Sequence, residues 1–230
     1  MGILIGVSGS AGVGKDTVAN HFVDKFGLLK ISFADPLKRI CRDVFDFSDK
    51  ALWGPSEERS KPDSRYKRLG DDDLAREIDK EIFPNIDYGP KFLTPRYALQ
   101  KIGTEFGRNC YPNIWVEYAL RLARTALANP AQYDYNYKYG LVPADRKKNP
   151  IQGVVFADCR FKNELDLIKE NGGILIRIKR HEAGLSGEAG MHPSEKEQRG
   201  IPDSAFDYII ENYGTLKDLE SSVLDLYDRF

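Results

Sequence analysis

Apolar residues come along this chain in short unbroken runs, and the stretches between them carry apolar residues at helical spacing. Ile3-Leu4-Ile5-Gly6-Val7 is continuous and ends in a glycine-rich turn. That pattern predicts a strand over 3–7 buried on both faces, as in a parallel sheet. Runs of the same kind predict strands near 28–33, 153–157, 174–178 and 207–210. Val18, Ala19, Phe22, Val23 and Phe26 fall on one helical stripe, with Gly27 at the expected stop. Asp35-Pro36 has the form of an N-cap followed by proline, and Leu37, Ile40, Cys41 and Val44 continue at helical spacing. Helical patterns also cover 95–106, 115–127 and the stretch from Asn163 to Gly172-Gly173. Thr215 is placed to cap a last helix carrying Leu216, Leu219, Val223 and Leu226.

Strands alternating with helices predict a three-layer α/β/α fold with a mostly parallel sheet, as one domain over 1–230 carrying insertions. The pattern lapses three times. Residues 48–94 are polar, hold Pro55, Pro62, Pro84 and Pro90, and include Asp71-Asp72-Asp73; they read as an insertion. Residues 129–150 carry Tyr133, Tyr135, Tyr137 and Tyr139 at period two, which suits an exposed hairpin arm more than a binding stripe. Residues 181–203 are polar with several glycines, as a lid over a site would be.

Composition narrows the setting. The chain has 230 residues, enough for a substantial core without staples. Its three cysteines are widely spaced, with no C-x-x-C, which argues against a disulfide framework or a zinc site. No run approaches a membrane span and no signal-peptide pattern opens the chain, so a soluble, cytoplasmic protein is expected. Lys and Arg number 34 against 35 Asp and Glu, a net charge of -1, so no global attraction to a nucleic-acid polymer is expected. An anionic ligand must be met by local clusters of cations.

Such a cluster begins at Gly9-Ser10-Ala11-Gly12-Val13-Gly14-Lys15, which matches the G-x-x-x-x-G-K core of a Walker A loop between a strand and a helix. Glycines tolerate positive φ and carry no Cβ, so successive N–H groups can turn inward around phosphate oxygens. Gly12, Val13, Gly14, Lys15, Asp16 and Thr17 are the predicted nucleotide-binding residues, with Lys15 following the charge on the transferring group. Asp16 stands where Ser or Thr is usual; as a hard oxygen ligand it is expected to hold Mg²⁺, directly or through a water. Thr17 is left to donate to the α-phosphate.

A second set of residues suits a phosphorylated acceptor. Arg96, Gln100 and Thr104 are four apart in turn and share a helix face, with Arg108 one turn on; a guanidinium can grip phosphate while an amide reads a base edge. Asp158 and Arg160 follow the 153–157 strand, at the sheet edge where open α/β folds bind ligands. Asp158 is expected to order Mg²⁺ and Arg160 to support the acceptor phosphate, with Glu164 orienting Arg160. Arg177 is the expected catalytic arginine at the root of the lid, with Lys179 and Arg180 beside it.

Taken together, Gly14-Lys15-Asp16-Thr17, Ser32-Phe33-Ala34-Asp35-Pro36-Leu37-Lys38, 94–108, Trp115-Val116, Asp158-x-Arg160-Phe161-x-Asn163-Glu164, Gly172-Gly173 with 175–178, and His192-x-Ser194-Glu195 are informative. The chain resembles the deoxynucleoside monophosphate kinases of tailed bacteriophages, within the P-loop nucleotide kinase superfamily. The resemblance spans nearly the whole chain and implies a P-loop core with acceptor-binding and lid insertions. It also implies ATP and Mg²⁺, and transfer to the 5′-phosphate of a deoxynucleotide. Asp after the loop lysine is normal there, and Asp35 and Trp115 join the acceptor-site candidates. Asn212 is counted with the cofactor-binding residues, within an Asn212-Tyr213-Gly214 run similar to the tail of dephospho-coenzyme A kinases. A kinase of that second type, or an ATP-binding regulatory module without a small acceptor, remains the alternative at this stage. A homodimer through the 95–128 helices is a further expectation.

Overall fold

The computed structural model describes residues 2–68, 92–180, 197–198 and 200–230. Asp71 to Asp73, most of the expected lid, and His192, Ser194 and Glu195 lie outside them. The chain divides into two compact units, Met1–Pro36 together with Gly107–Phe230, and Leu37–Phe106.

The first unit opens with β1 (Ile3–Ser8), α1 (Lys15–Phe26) and β2 (Leu28–Ile31), and α2 (Asp35–Phe45) begins at its boundary. The second unit continues with α3 (Asp49–Trp53), β3 (Asp63–Lys67), β4 (Phe92–Leu93) and α4 (Pro95–Gln100), followed by π-helical turns over Lys101–Arg108. The first unit then resumes with α5 (Ile114–Ala128), β5 (Tyr133–Asn136), β6 (Gly140–Pro143), β7 (Gly153–Cys159), α6 (Lys162–Glu170), β8 (Ile174–Lys179), β9 (Tyr208–Glu211) and α7 (Leu216–Tyr227).

Five strands form one sheet in the order β2-β7-β1-β8-β9, with every neighbouring pair parallel. Parallel neighbours need crossovers, and among the described residues α1 follows β1 and α6 follows β7 in this role. Ile5 and Val7 of β1 join Val155, Ala157, Ile176, Ile178 and Ile210 on one face, packed on Val18, Ala19 and Phe22 of α1 and Leu219 and Val223 of α7. The other face is covered by α6. Gly6 lies so close to it that an added Cβ would meet Leu175 at 2.8 Å and Ile168 at 3.0 Å. The unbroken apolar runs of the sequence thus arise because each central strand is buried on both sides. After β1 the chain crosses to β2, and after β7 it crosses the other way to β8. The two connections leave the carboxyl ends of these adjacent strands in opposite directions, which is the switch point where open α/β sheets bind ligands.

The second unit has its own core of Cys41, Phe47, Leu52 and Ala98, with Phe45, Trp53, Tyr66 and Leu93 against it. It starts at Leu37, ahead of the insertion expected at 48, because α2 supplies Cys41 to that core. The helix expected over 95–106 is regular only to Gln100; Gly103 and Gly107 then favour the wider turns, since glycine weakens an α-helical ladder. The tyrosine-rich arm is the antiparallel hairpin β5–β6, with Gly140 at φ 90° closing the turn.

Candidate active site

The loop between β1 and α1 has the conformation its glycines permit. Gly12 and Gly14 have φ of 82° and 101°, and Gly14 is the N-cap of α1. The first N–H groups of α1 have no acceptor within the helix, and together with the helix dipole they favour an anion at this end. Lys15 is 9 % exposed, and its ammonium folds back on the loop, donating to the Gly9 carbonyl at 2.6 Å and the Ser10 carbonyl at 2.7 Å. Asn212, at the end of β9, donates to the Val13 carbonyl at 2.9 Å from behind the loop. A Cβ on Gly14 would meet that same amide at 2.7 Å. Asn212 therefore shapes the loop through its backbone. Asp16 lies exposed in the first turn of α1, paired with Lys30 at 2.7 Å.

Beside the loop, β1 pairs with β7 up to Ser8 opposite Cys159, which brings Asp158 and Arg160 to the same sheet edge. Both Asp158 oxygens are engaged. They accept from Ser32 Oγ at 2.6 Å, from the Phe33 N–H at 2.8 Å and from the Ala34 N–H at 3.1 Å. Asp158 thereby braces the loop that leads into Asp35. Asp35 is 4 % exposed and accepts from the Tyr135 hydroxyl at 3.0 Å, so the hairpin arm reaches a candidate acceptor residue.

Glu164 is 2 % exposed and forms an ion pair with Arg108, whose guanidinium also stacks 3.6 Å from the centre of the Phe161 ring. Its other oxygen accepts from the N–H groups of Arg160 at 2.6 Å and Phe161 at 3.0 Å. Burial pushes the Glu164 carboxyl above its ordinary range, against the pull of Arg108 and of these two N–H groups. Glu164 thus holds the turn that carries Arg160, in keeping with the orienting role expected of it, and Arg108 is drawn into the same cluster by its ion pair with Glu164. Trp115 is buried, its indole so close to Gly107 that an added Cβ there would come within 2.3 Å of it.

Arg177 does not point to the loop. It donates to the carbonyls of Ile201 at 2.6 Å and Gln198 at 3.3 Å and to Asp203 at 3.0 Å, with the Phe206 ring 5.0 Å away. Its work is to pin the 198–206 segment. That segment carries Gln198, a residue the sequence reading did not single out. Gln198 is 2 % exposed and donates to the Gly9 carbonyl at 2.7 Å. A glutamine in a polar stretch carries no motif, so nothing in the sequence pointed to it. In the second unit, Arg96 donates to Ser60 at 3.0 Å and to Ser56 at 2.7 Å, and Gln100 and Thr104 are partly exposed.

A loop of this form at the switch point of a parallel sheet suits a nucleotide kinase, and comparison with known proteins agrees. The chain is 32 % identical over 227 residues to a protein of Acanthamoeba polyphaga mimivirus named "Putative deoxynucleotide monophosphate kinase", covering 98 % of this chain and 96 % of that one. The chain belongs to the deoxynucleotide monophosphate kinase family. It is a phosphotransferase with ATP as cosubstrate, built on a three-layer α/β/α P-loop fold. The relative comes from a mimivirus rather than a bacteriophage. No protein-family model matches the sequence. Among solved structures, a sugar kinase from Janibacter sp. HTCC2649 is 14 % identical with a TM-score of 0.43, covering 99 % of this chain and 95 % of that one. The dephospho-CoA kinase of Campylobacter jejuni is 16 % identical with a TM-score of 0.42, covering 98 % and 95 %. Likenesses this distant lend nothing to the assignment. Among the described residues no helix of this kinase is long and apolar enough to cross a membrane.

Proposed function

We propose that this kinase transfers the γ-phosphoryl group of ATP to the 5′-phosphate of a deoxynucleoside monophosphate, giving the diphosphate and ADP. What carries the reading is Lys15, folded on its own loop at the carboxyl end of β1, one strand from Arg160. The name of the mimivirus relative supports the acceptor class.

In this proposal Lys15 leaves the Gly9 and Ser10 carbonyls to meet the β- and γ-phosphates, which the loop amides hold from Gly12 to Thr17. Arg160 supports the phosphates as charge shifts. Arg96 and Gln100 recognise the acceptor through phosphate and base, with Thr104 and Trp115 in supporting roles, and Asp35 is held for the acceptor by Tyr135. Asp158, Arg108, Glu164, Arg177 and Asn212 position these groups rather than touch substrate. The acceptor phosphate is already ionised near neutral pH, so in-line attack needs positioning and charge stabilisation more than a strong base.

Among the described residues, Asp16 is placed to hold Mg²⁺. This ion is usually held by one or two carboxylates together with substrate phosphates, and exposed Asp16 beside Lys15 suits that role. Asp158, with both oxygens accepting from 32–34, has less freedom to serve as a direct ligand. When bound, Mg²⁺ supplies charge neutralisation of the phosphate oxygens.

The test is ADP release followed with each deoxynucleoside monophosphate in turn. ADP should appear only with an acceptor, and Lys15→Met and Arg160→Ala should each lose most turnover while keeping the wild-type melting profile. Wild-type rates in both variants would refute the site.

A further inference from the structure

Gln198 occupies a place that matters for how the loop changes on binding nucleotide. The Gly9 carbonyl, buried at the end of β1, accepts two hydrogen bonds, from Lys15 Nζ at 2.6 Å and from Gln198 Nε2 at 2.7 Å. These fill both of its lone pairs. The Ser10 carbonyl, which takes a second proton of Lys15, belongs to a partly exposed residue that water can reach. When Lys15 turns to the phosphates, Ser10 is therefore satisfied by solvent. Gly9 is not, unless a second donor stays behind.

The orientation of the Gln198 amide is fixed by its surroundings. Its nitrogen faces the Gly9 carbonyl and, at 3.4 Å, the Cys159 carbonyl, and the reversed amide would set oxygen against both. The amide oxygen is then buried without a hydrogen-bond partner among the described residues. A protein retains such an arrangement against its cost where the donor has a use. The backbone of Gln198 is held by Arg177.

We infer that Gln198 is a positioning residue that keeps the Gly9 carbonyl satisfied and so frees Lys15 to move onto the nucleotide. The inference rests on Lys15 meeting the phosphates, as proposed above, and is independent of the acceptor's identity.

The test is a double-mutant cycle on ATP binding, measured by calorimetry without acceptor. Gln198→Met keeps the length of the side chain and removes the donor. In the wild-type background it should weaken ATP binding about tenfold, the scale of one buried hydrogen bond. In the Lys15→Met background it should change nothing further, because no ammonium has to be released. Gln198→Glu, which sets a carboxylate beside the ammonium, should weaken binding more than Gln198→Met in the wild-type background only. Equal losses in both backgrounds would make Gln198 a merely structural support and overturn the inference, as would unchanged binding in Gln198→Met. Wild-type protein that binds no ATP would remove the reading of Lys15 and this inference with it. Transfer to an unexpected acceptor would leave it standing.

Discussion

Replacing Asp158 by alanine tests whether that carboxylate is a brace. The side chain accepts from Ser32 Oγ, Phe33 N and Ala34 N at 2.6, 2.8 and 3.1 Å. A hydrogen bond to an ionised acceptor contributes about 1.5–3 kcal/mol. Three at the lower end would exceed 4 kcal/mol, but the site is partly exposed and water will replace part of them, so a loss of about 3 kcal/mol is expected. For a chain of this size each kcal/mol moves the midpoint by roughly 2–4 °C, giving a fall of about 6–12 °C by scanning calorimetry. Asp158→Asn keeps an acceptor for Phe33, and the Ser32 hydroxyl can turn to accept from the new amide. Only the Ala34 N–H loses this acceptor, and it still has Ser32 Oγ at 3.3 Å. The asparagine variant should therefore melt between wild type and alanine. If Asp158→Ala melts within a degree of wild type, or below Asp158→Asn in activity but not in stability, the carboxylate has another job.

Other consequences are simpler to check. Gly14→Ala should cost more stability and more ATP affinity than Gly12→Ala. Both have positive φ, but the added Cβ at 14 meets Asn212 at 2.7 Å while the one at 12 meets nothing within 4 Å, so Gly12→Ala should cost only about 1–2 kcal/mol of backbone strain. Iodoacetamide at pH 8 should label exposed Cys110 in the native protein, read by mass spectrometry, and spare Cys41, whose thiol burial pushes up to about 12, and fully buried Cys159. Asp203 is held below its ordinary value of 3.8, chiefly by the hydrogen bond from Lys179. A depressed carboxyl contributes stability above its unfolded value and loses it as pH falls through the folded one. The urea midpoint should therefore hold from pH 7 to about 5 and fall below about 4. In Asp203→Asn that acid loss should be smaller.

The five strands were legible because a doubly buried parallel strand leaves an unbroken apolar run. Gly9 to Lys15 was legible because only glycine suits a loop with positive φ at 12 and 14. Side-chain destinations were less so. Arg108 and Arg177 have the chemistry of phosphate ligands, but a guanidinium satisfies a buried Glu164 or three backbone and carboxylate oxygens near 198–203 equally well, and spacing along the chain does not distinguish the two. Asp158 sits at the predicted sheet edge, yet its partners are backbone N–H groups 124 to 125 residues away, which no local pattern encodes. The regular helix expected to 106 ended at Gln100 because the glycines at 103 and 107 loosen it. Gln198 acts through bonds to residues far away in the chain and left no mark on the sequence, while the period-two tyrosines marked a hairpin but not the bond from Tyr135 to Asp35.

The central claim is that phosphate moves from ATP to a deoxynucleotide at this loop. Incubating the protein with ATP labelled at the γ-phosphate and each deoxynucleoside monophosphate, then separating the nucleotides, follows the phosphoryl group itself. Label should move into a deoxynucleoside diphosphate for at least one base, in step with ADP, and should stay on ATP with Lys15→Met. Label released as inorganic phosphate at the same rate with and without acceptor, or retained wholly on ATP with every deoxynucleotide, would contradict the account.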